Sequence, residues 1–576
     1  MGAVKRLSRA ELRKTPPAES HLETRSAMRP LLAIFLTSVA HAQFLPGVDP
    51  RVPEPKPVES LPVKKADTRA VGTGAILCKR LTEIRLESRS GEELTRILDG
   101  FRVAENLLLP SPTTLGAKLA PWSGRPLAEG DLVAIADTIL VHYDVEGYPV
   151  VGIDAPDQDL ETGILRFFVD VGRIGNVGVT RPKYGSPQAV TRGLTLRRGE
   201  ILRRSELDEQ MAWYGRSVFR RPQLMVSPGS EPATADLLIG LAEKRPWRAT
   251  LGYENSGPDL LGKDRFMFGA AGMTKNEHIL AWQTVLGDPV SSLQAHALSW
   301  EIPFHRIHQS LQLDAVYAEV LSYSMQSGLP VENTGTSWSM AALQKLSLPS
   351  LGKWRQRLTA GVEVKATNQF VLFGGAPFSP GEVRLVNAKL NYGLARDWDD
   401  GAFQIDTTLL GAPGGVIPGN DDEDFQIYDS EAVANYGILR LATQGWWSLG
   451  ADWRIALRAA GQVANTRLLP VEQFAAGGYQ TVRGVAEREY YADNGWQSSL
   501  ELYAPALTIQ ARYQMRLLGF YDQAMLQNCG EDAVSLSSAG LGVRIKMADK
   551  VDLRVDHGWR LDDAGSEIHV GLQMTY

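Results

Sequence analysis

Phe474-Ala475-Ala476-Gly477-Gly478-Tyr479-Gln480-Thr481-Val482-Arg483-Gly484, with Gly519-Phe520-Tyr521-Asp522 downstream, is the part of the chain that most constrains its fold. The first segment is a Gly-rich approach to a compact tip, where Gly477, Gly478 and Gly484 allow the tight backbone that a loop apex needs. Between the two segments, residues alternate. Leu500 and Leu502 are set against Ser499 and Glu501. Leu507, Ile509, Ala511, Tyr513, Met515 and Leu517 are set against Thr508, Gln510, Arg512, Gln514 and Arg516. Period two is the signature of a strand with one apolar face and one polar face. Asp522 has the parity of Arg512, Gln514 and Arg516, so it is expected on the polar face. The pattern predicts a loop folded back against a β wall, with Arg483 at its tip and Asp522 as its partner. An exposed loop arginine is the competing reading, and it would contribute little. If the pair is desolvated, breaking it from one side costs about 3–5 kcal/mol, enough to pin a loop.

The alternation continues to the C-terminus. Leu541, Val543, Ile545 and Met547 alternate with Gly540, Gly542, Arg544 and Lys546, and Val551, Leu553 and Val555 with Asp552, Arg554 and Asp556. Ile568, Val570, Leu572, Met574 and Tyr576 close the chain. A soluble sandwich alternates too, but it buries the apolar face in a shared core. Long strands, a signal-like N-terminus and an aromatic residue, Tyr576, ending the last strand favour a membrane barrel, whose apolar face meets lipid. The helical signal disappears after Trp247. The 330 residues from there to Tyr576 hold about sixteen strands at roughly 20 residues per strand and connection, an even number as closed outer-membrane barrels need.

Upstream the pattern changes. Met28-Arg29-Pro30, the apolar run Leu31 to Ala40 and Ala40-His41-Ala42 read as a signal peptide over residues 1–42, with Met28 a candidate initiator and Gln43 the mature start. Prolines at 46, 50, 53, 55, 57 and 62 make 43–80 an extended linker. Residues 81–171 and 172–246 read as two α+β modules. In the first, Leu132, Ile135, Ala136, Ile139 and Leu140 keep helical spacing, and Leu165 to Val171 alternate. In the second, a strand Ile174 to Val179 precedes Ser205 with Asp208 as a helix cap, and a strand Asp236 to Glu243 closes the unit.

The charge balance, 60 basic against 66 acidic residues for a net −6, argues against a nucleic-acid partner. Two cysteines, Cys78 and Cys529, provide neither a disulfide framework nor a Cys-rich metal site. Gly257 to Asp264 resembles a P-loop, yet Asp264 stands where Ser or Thr would hold magnesium, and the segment sits between two β runs. His305 and His308 have no third ligand at metal-site spacing. Asp421 to Asp424 lacks the spacing of a calcium loop and reads as a solvated loop. Neither a catalytic constellation nor a cofactor site emerges.

These residues resemble a known family. Val482-Arg483-Gly484 is similar to the Val-Arg-Gly-aromatic tip of the inward-folded loop in two-partner secretion transporters of the ShlB/FhaC/HecB haemolysin secretion/activation type. Gly519-Phe520-Tyr521-Asp522 resembles the strand motif whose aspartate pairs with that arginine. Ser227-Pro228-Gly229, Asp236-Leu237-Leu238-Ile239 and Glu254-Asn255-Ser256-Gly257 resemble the family's passage into its barrel. The resemblance implies two periplasmic POTRA modules and a transmembrane barrel, 247–576, of about 16 antiparallel strands in the outer membrane. It implies capture of an unfolded secreted exoprotein by the POTRA modules, contact with outer-membrane lipid, and insertion by the barrel-assembly machinery through a C-terminal signal at Tyr576. Val482, Arg483 and Gly484 become a loop-tip lock and Asp522 its wall partner. Val485 departs from the family's aromatic, and the Pro-rich segment offers no plug helix. An insertase of the same superfamily is the alternative, disfavoured by having only two modules. A barrel enzyme and a soluble adhesin are the rivals from other classes.

Overall fold

The computed structural model describes residues 71–89, 93–98, 100–258, 261–326, 329–373, 376–510, 512–548 and 550–576. The expected signal peptide, the initiator and residues 43–70 of the linker lie outside these residues.

The first module is a five-stranded sheet in the order Leu94–Leu98, Phe101–Ala104, Glu83–Glu87, Ile164–Val171, Val151–Asp154. Helices Pro112–Leu119 and Glu129–Val145 bury Leu115, Leu119, Ile135, Ile139 and Tyr143 against Ile84, Leu86, Leu165 and Phe167. Asp131, in the first turn of the long helix, accepts from the Ala128 amide (3.0 Å) and, at its other oxygen, from the Gly72 amide (3.1 Å) and Arg125 (2.9 Å). Residues 71–80, placed by composition with the linker, therefore belong to this module. Val71 packs on its core, and Ile76–Cys78 pairs with Leu127–Ala128. Proline content ends before this stretch, and a buried carboxylate holds its backbone.

The second module has three strands, in the order Arg173–Val179, Thr234–Glu243, Arg220–Pro228, with helices Pro187–Arg192 and Arg204–Tyr214. Ser205 is not the helix cap. The helix begins at Arg204, Arg203 is the extended residue before it, and the Arg204 amide donates to Gly147 of the first module (2.8 Å). Arg204 also pairs with buried Asp144 at 2.6 Å, so the helix start is spent on joining the modules.

A second joint holds this module to the barrel. Glu277, in the turn between the second and third barrel strands, takes Arg216 at 2.6 Å and Arg220 at 2.7 Å, and Arg220 also reaches Glu243 at 2.9 Å. His305 and His308, in the next turn on the same side, pack on Trp213, and His308 stacks on it at 5.0 Å. Burial raises the Glu277 carboxyl pKa, but Arg216 and Arg220 outweigh burial and hold it below the ordinary 4.5. A lowered carboxyl stabilises the docked state above its ordinary value, and that contribution is lost as pH falls through the lowered one. The module-to-barrel distance, read by spin labels, is therefore expected to stay fixed above about pH 5 and to broaden progressively below it. Glu277→Ala, which strips Arg216 of its carboxylate and leaves buried Arg220 with Glu243 alone, should broaden it at neutral pH, at a cost of about 3–5 kcal/mol.

Among the described residues sixteen antiparallel strands close a barrel, the first (Trp247–Glu254) pairing with the last (Ser566–Thr575). Asn494–Tyr503 and Leu507–Ile509 are one interrupted twelfth strand, since both pair with the thirteenth, Tyr513–Gln527. The run Leu507 to Leu517 is thus not one strand but a hairpin. Leu507 faces Met515 and Ile509 faces Tyr513, so odd residues point the same way on both sides of the turn and the alternation hides it.

Which face is buried settles the choice between barrel and sandwich. Leu541 is 64% exposed and Leu517 51%, while Asp522 and Asp556 on the opposite parity are fully buried. An apolar exterior around a polar interior is stable only in lipid. No helix among the described residues is long and apolar enough to cross a membrane; the strands do so. At the end next to the modules Trp354, Trp398, Phe403 and Trp447 cluster with ring centroids 6.0–6.4 Å apart, an interfacial aromatic belt. Tyr576 completes the seam there. It exchanges backbone hydrogen bonds with Ala249 (2.9 and 3.1 Å), and its ring lies 5.7 Å from that of Trp247.

Two sequence features resolve as structure. Gly257 to Lys263 belongs to the connection between the first two strands, with Lys263 paired to Glu567 at 3.1 Å. Asp421 caps a short helix, Asp422–Tyr428, so the acidic cluster is not an open loop. Carboxylates in a helix's first turn complement its free amides.

Candidate functional site: a loop held in the lumen

The eleventh strand, Trp453–Ala464, starts at the module end of the barrel, so the loop 465–493 leaves from the opposite, surface end. It then turns inward. Phe474–Ala476 pairs with Tyr490–Ala492 as a short hairpin, and the tip reaches the wall midway along the twelfth and thirteenth strands.

Arg483 is the largest fully buried side chain of the described residues. Its Nε and one terminal nitrogen donate to the two oxygens of Asp522 at 2.7 and 2.8 Å. That terminal nitrogen also donates to Ser499 Oγ at 3.0 Å, and the other terminal nitrogen donates to Glu501 at 2.7 Å. The Arg483 amide donates to Asp522 as well (3.1 Å), and the guanidinium lies 3.5 Å from the centre of the Phe520 ring. Asp556 stands 3.7 Å away, held by Arg544 at 2.9 Å. A planar fork with five donors suits this set of acceptors, and an ammonium does not.

Gly484 makes the close approach possible. Its φ is +94°, and a Cβ there would meet the backbone of Gly558 on the fifteenth strand at 2.8 Å. The Gly484 amide also donates to His569 at 3.4 Å. Val482 and Val485 are buried among Ala476, Ala492, Ala524 and Leu526. Leu536 and the partly buried Phe474 and Tyr490 join the same apolar cluster. Nearby, the Arg554 guanidinium overlies the Tyr479 ring at 3.6 Å.

The structure brings together Arg483, Gly484, Val482 and Asp522, while Tyr576 lies apart at the seam. Glu501, Ser499, Phe520, Gly558 and Asp556 complete the site and were not singled out by sequence. Glu501 and Ser499 carried a signal, a polar parity opposite Leu500 and Leu502. Their places opposite Asp522 and Phe520, however, depend on the break at Ala504 to Ala506, across which the register shifts by one residue. Below the loop, on the module side, lies a cavity of about 520 Å³ walled by Tyr479, Tyr503, Arg454, Arg516, Arg544 and Arg554.

A closed sixteen-stranded barrel, preceded by α/β modules and occupied by one of its own loops, defines an outer-membrane pore of the POTRA-plus-barrel class. Residues 234–545, more than half of the chain, match the model of the haemolysin secretion/activation protein family ShlB/FhaC/HecB, and residues 97–172 match the ShlB-type POTRA domain. The chain belongs to that family. It is 22% identical over 466 residues, 77% of its length and 80% of the relative's, to the heme/hemopexin transporter protein HuxB of Haemophilus influenzae. It is similar in fold to CdiB from Escherichia coli (TM-score 0.71, 16% identity, 98% of this chain and 100% of that one). CdiB from Acinetobacter baumannii gives a TM-score of 0.64 at 15% identity, covering 97% of each chain. The protein is an outer-membrane transporter of the two-partner secretion type, with its N-terminal modules on the periplasmic side.

Proposed function

We propose that this chain exports one large secreted exoprotein of haemolysin, haemagglutinin or adhesin type. In this reading residues up to 171 and 172–246 are two POTRA modules that hold the client unfolded, and 247–576 is the pore. The carrying observation is the buried Arg483 tip paired with Asp522; in this reading it keeps the loop 474–492 in the lumen at rest and releases it for export. The charged lumen wall and the cavity beneath the tip support passage of a hydrated chain. Strand addition at a sheet edge supplies capture with little sequence demand. Outer-membrane lipid meets the apolar exterior, and Tyr576 presents the barrel's end to the assembly machinery during insertion. The chemistry is mechanical rather than catalytic, and the family match favours secretion over insertase activity.

The test is co-expression with the large exoprotein encoded by a neighbouring reading frame, in a Gram-negative host. The exoprotein should reach the surface with this chain and remain periplasmic without it. Equal surface appearance in both strains overturns the assignment.

A further inference from the structure

Arg483 is not the loop's sole attachment. On the inbound limb Glu472 is 1% exposed. One of its carboxylate oxygens accepts from Lys365 Nζ (2.8 Å) and Asn387 Nδ2 (2.9 Å), the other from Arg440 (2.8 Å). These donors come from the seventh (Trp354–Phe373), eighth (Ala376–Trp398) and tenth (Asn435–Gly450) strands. The Glu472 carbonyl accepts from Arg440 (3.0 Å) and Gln462 (2.9 Å), and the same Gln462 amide reaches the carbonyl of Asp493 on the outbound limb (3.0 Å). The Asp493 carboxylate, fully buried, takes the Leu468 amide (2.9 Å), Gln473 (3.0 Å) and the Cys529 amide (3.0 Å). Glu363, 3.3 Å from Lys365, balances the charge, so two carboxylates face two cations.

The two ends of the loop are thus held differently. The neck is fixed through Glu472 and Asp493 to elements on several sides, by backbone as well as side chains. The tip meets the wall mainly through Arg483 and Gly484, with Arg554 over the Tyr479 ring (3.6 Å) and Arg560 3.7 Å from Glu489 as the further polar contacts of the hairpin. Between neck and tip lie the three-residue ladder of the hairpin and a cluster of apolar side chains around Val482 and Val485.

We propose that Glu472 is a positioning residue: with Asp493 it forms a fixed pivot from which the hairpin 474–492 swings, and it aims the tip at Asp522. The proposal rests on the reading that this hairpin leaves the lumen wall during export. Displacement then begins at Arg483 and stops at the neck, and the dense cluster of Phe425, Tyr428, Leu468 and Leu469 near the surface end stays packed.

Spin-label distances in the full chain, with Cys78 and Cys529 replaced by serine, test this. One label is placed at Asp399 in a periplasmic turn, the second at Gln480 near the tip or at Ala475 just beyond the neck. Both distributions should be narrow in the parent protein. In Arg483→Ala the Gln480 distribution should broaden and shift, while that from Ala475 stays narrow. In Glu472→Gln the Ala475 distribution should broaden although Arg483 is intact. Heat-dependent gel migration confirms that each barrel is folded. Equal broadening at both sites in Arg483→Ala, or an unchanged Ala475 distribution in Glu472→Gln, overturns the pivot. An unchanged Gln480 distribution in Arg483→Ala instead refutes the lock, and the Glu472→Gln arm still reads the neck independently.

Discussion

Arg483→Ala is expected to abolish export of the exoprotein while leaving a folded barrel in the membrane. The substitution removes the guanidinium that binds Asp522, Glu501 and Ser499; buried Asp522 loses its cation, while Glu501 keeps only Arg458 (3.4 Å) and Tyr503 (2.6 Å). One-sided loss of such a pair costs about 3–5 kcal/mol, roughly a hundred- to several-thousand-fold in the ratio of docked to undocked tip at about 1.4 kcal/mol per decade. Barrel integrity rests on strand pairing that Arg483 does not join, so heat-dependent gel migration should be unchanged. Arg483→Lys should fall between, because an ammonium cannot span Asp522 and Glu501 with parallel bonds. Exchanging Arg483 and Asp522 is expected to restore part of export at most, since the new aspartate would face Glu501. Export assays on the three variants check the order, and wild-type export by Arg483→Ala would exclude the lock.

Gly558→Ala should impair export nearly as severely without altering any charge. A Cβ at 558 would lie 2.5 Å from the Arg483 carbonyl carbon and 2.7 Å from the Gly484 nitrogen, both backbone atoms. Backbone cannot yield as a side-chain end does, so the tip must lift off the wall. Overpacking of this kind costs about 1–3 kcal/mol. Gly558 lies in an ordinary strand, so alanine carries no conformational strain there. Gly519→Ala is the control, because its Cβ would find nothing closer than 4.0 Å. Loss of export in Gly558→Ala with normal export in Gly519→Ala is the expected pair of results. Normal export in both shows that the tip does not need this contact.

Part of this site could be read from the chain alone. Arg483 between glycines and Asp522 in phase with Arg512 and Arg516 identify a tip and a wall position, because strand parity is a local property. Glu501 and Gly558 could not be found that way. Glu501 meets Arg483 through a register set by the break at Ala504-Pro505-Ala506, where the phase of the apolar residues changes from even to odd. Gly558 meets Gly484 because the loop crosses the lumen to a strand 74 positions along the chain, a contact carried by backbone rather than by any side-chain pattern. The same limit explains the hairpin hidden inside Leu507 to Leu517, whose turn preserves parity. It also explains Ser205, since the helix there starts where the first module's Gly147 accepts its amide.

The sequence by itself determined the class: alternating strands with one charged face, α+β modules ahead of them, and an arginine tip in a loop. These follow from local periodicity and backbone chemistry. Tertiary structure decided which face of the alternation is buried, how the modules are joined through Asp144 and Glu277, and how the loop is fixed at both Glu472 and Arg483. Those depend on register, closure and long-range pairing of buried charges, which a burial pattern along one chain does not encode.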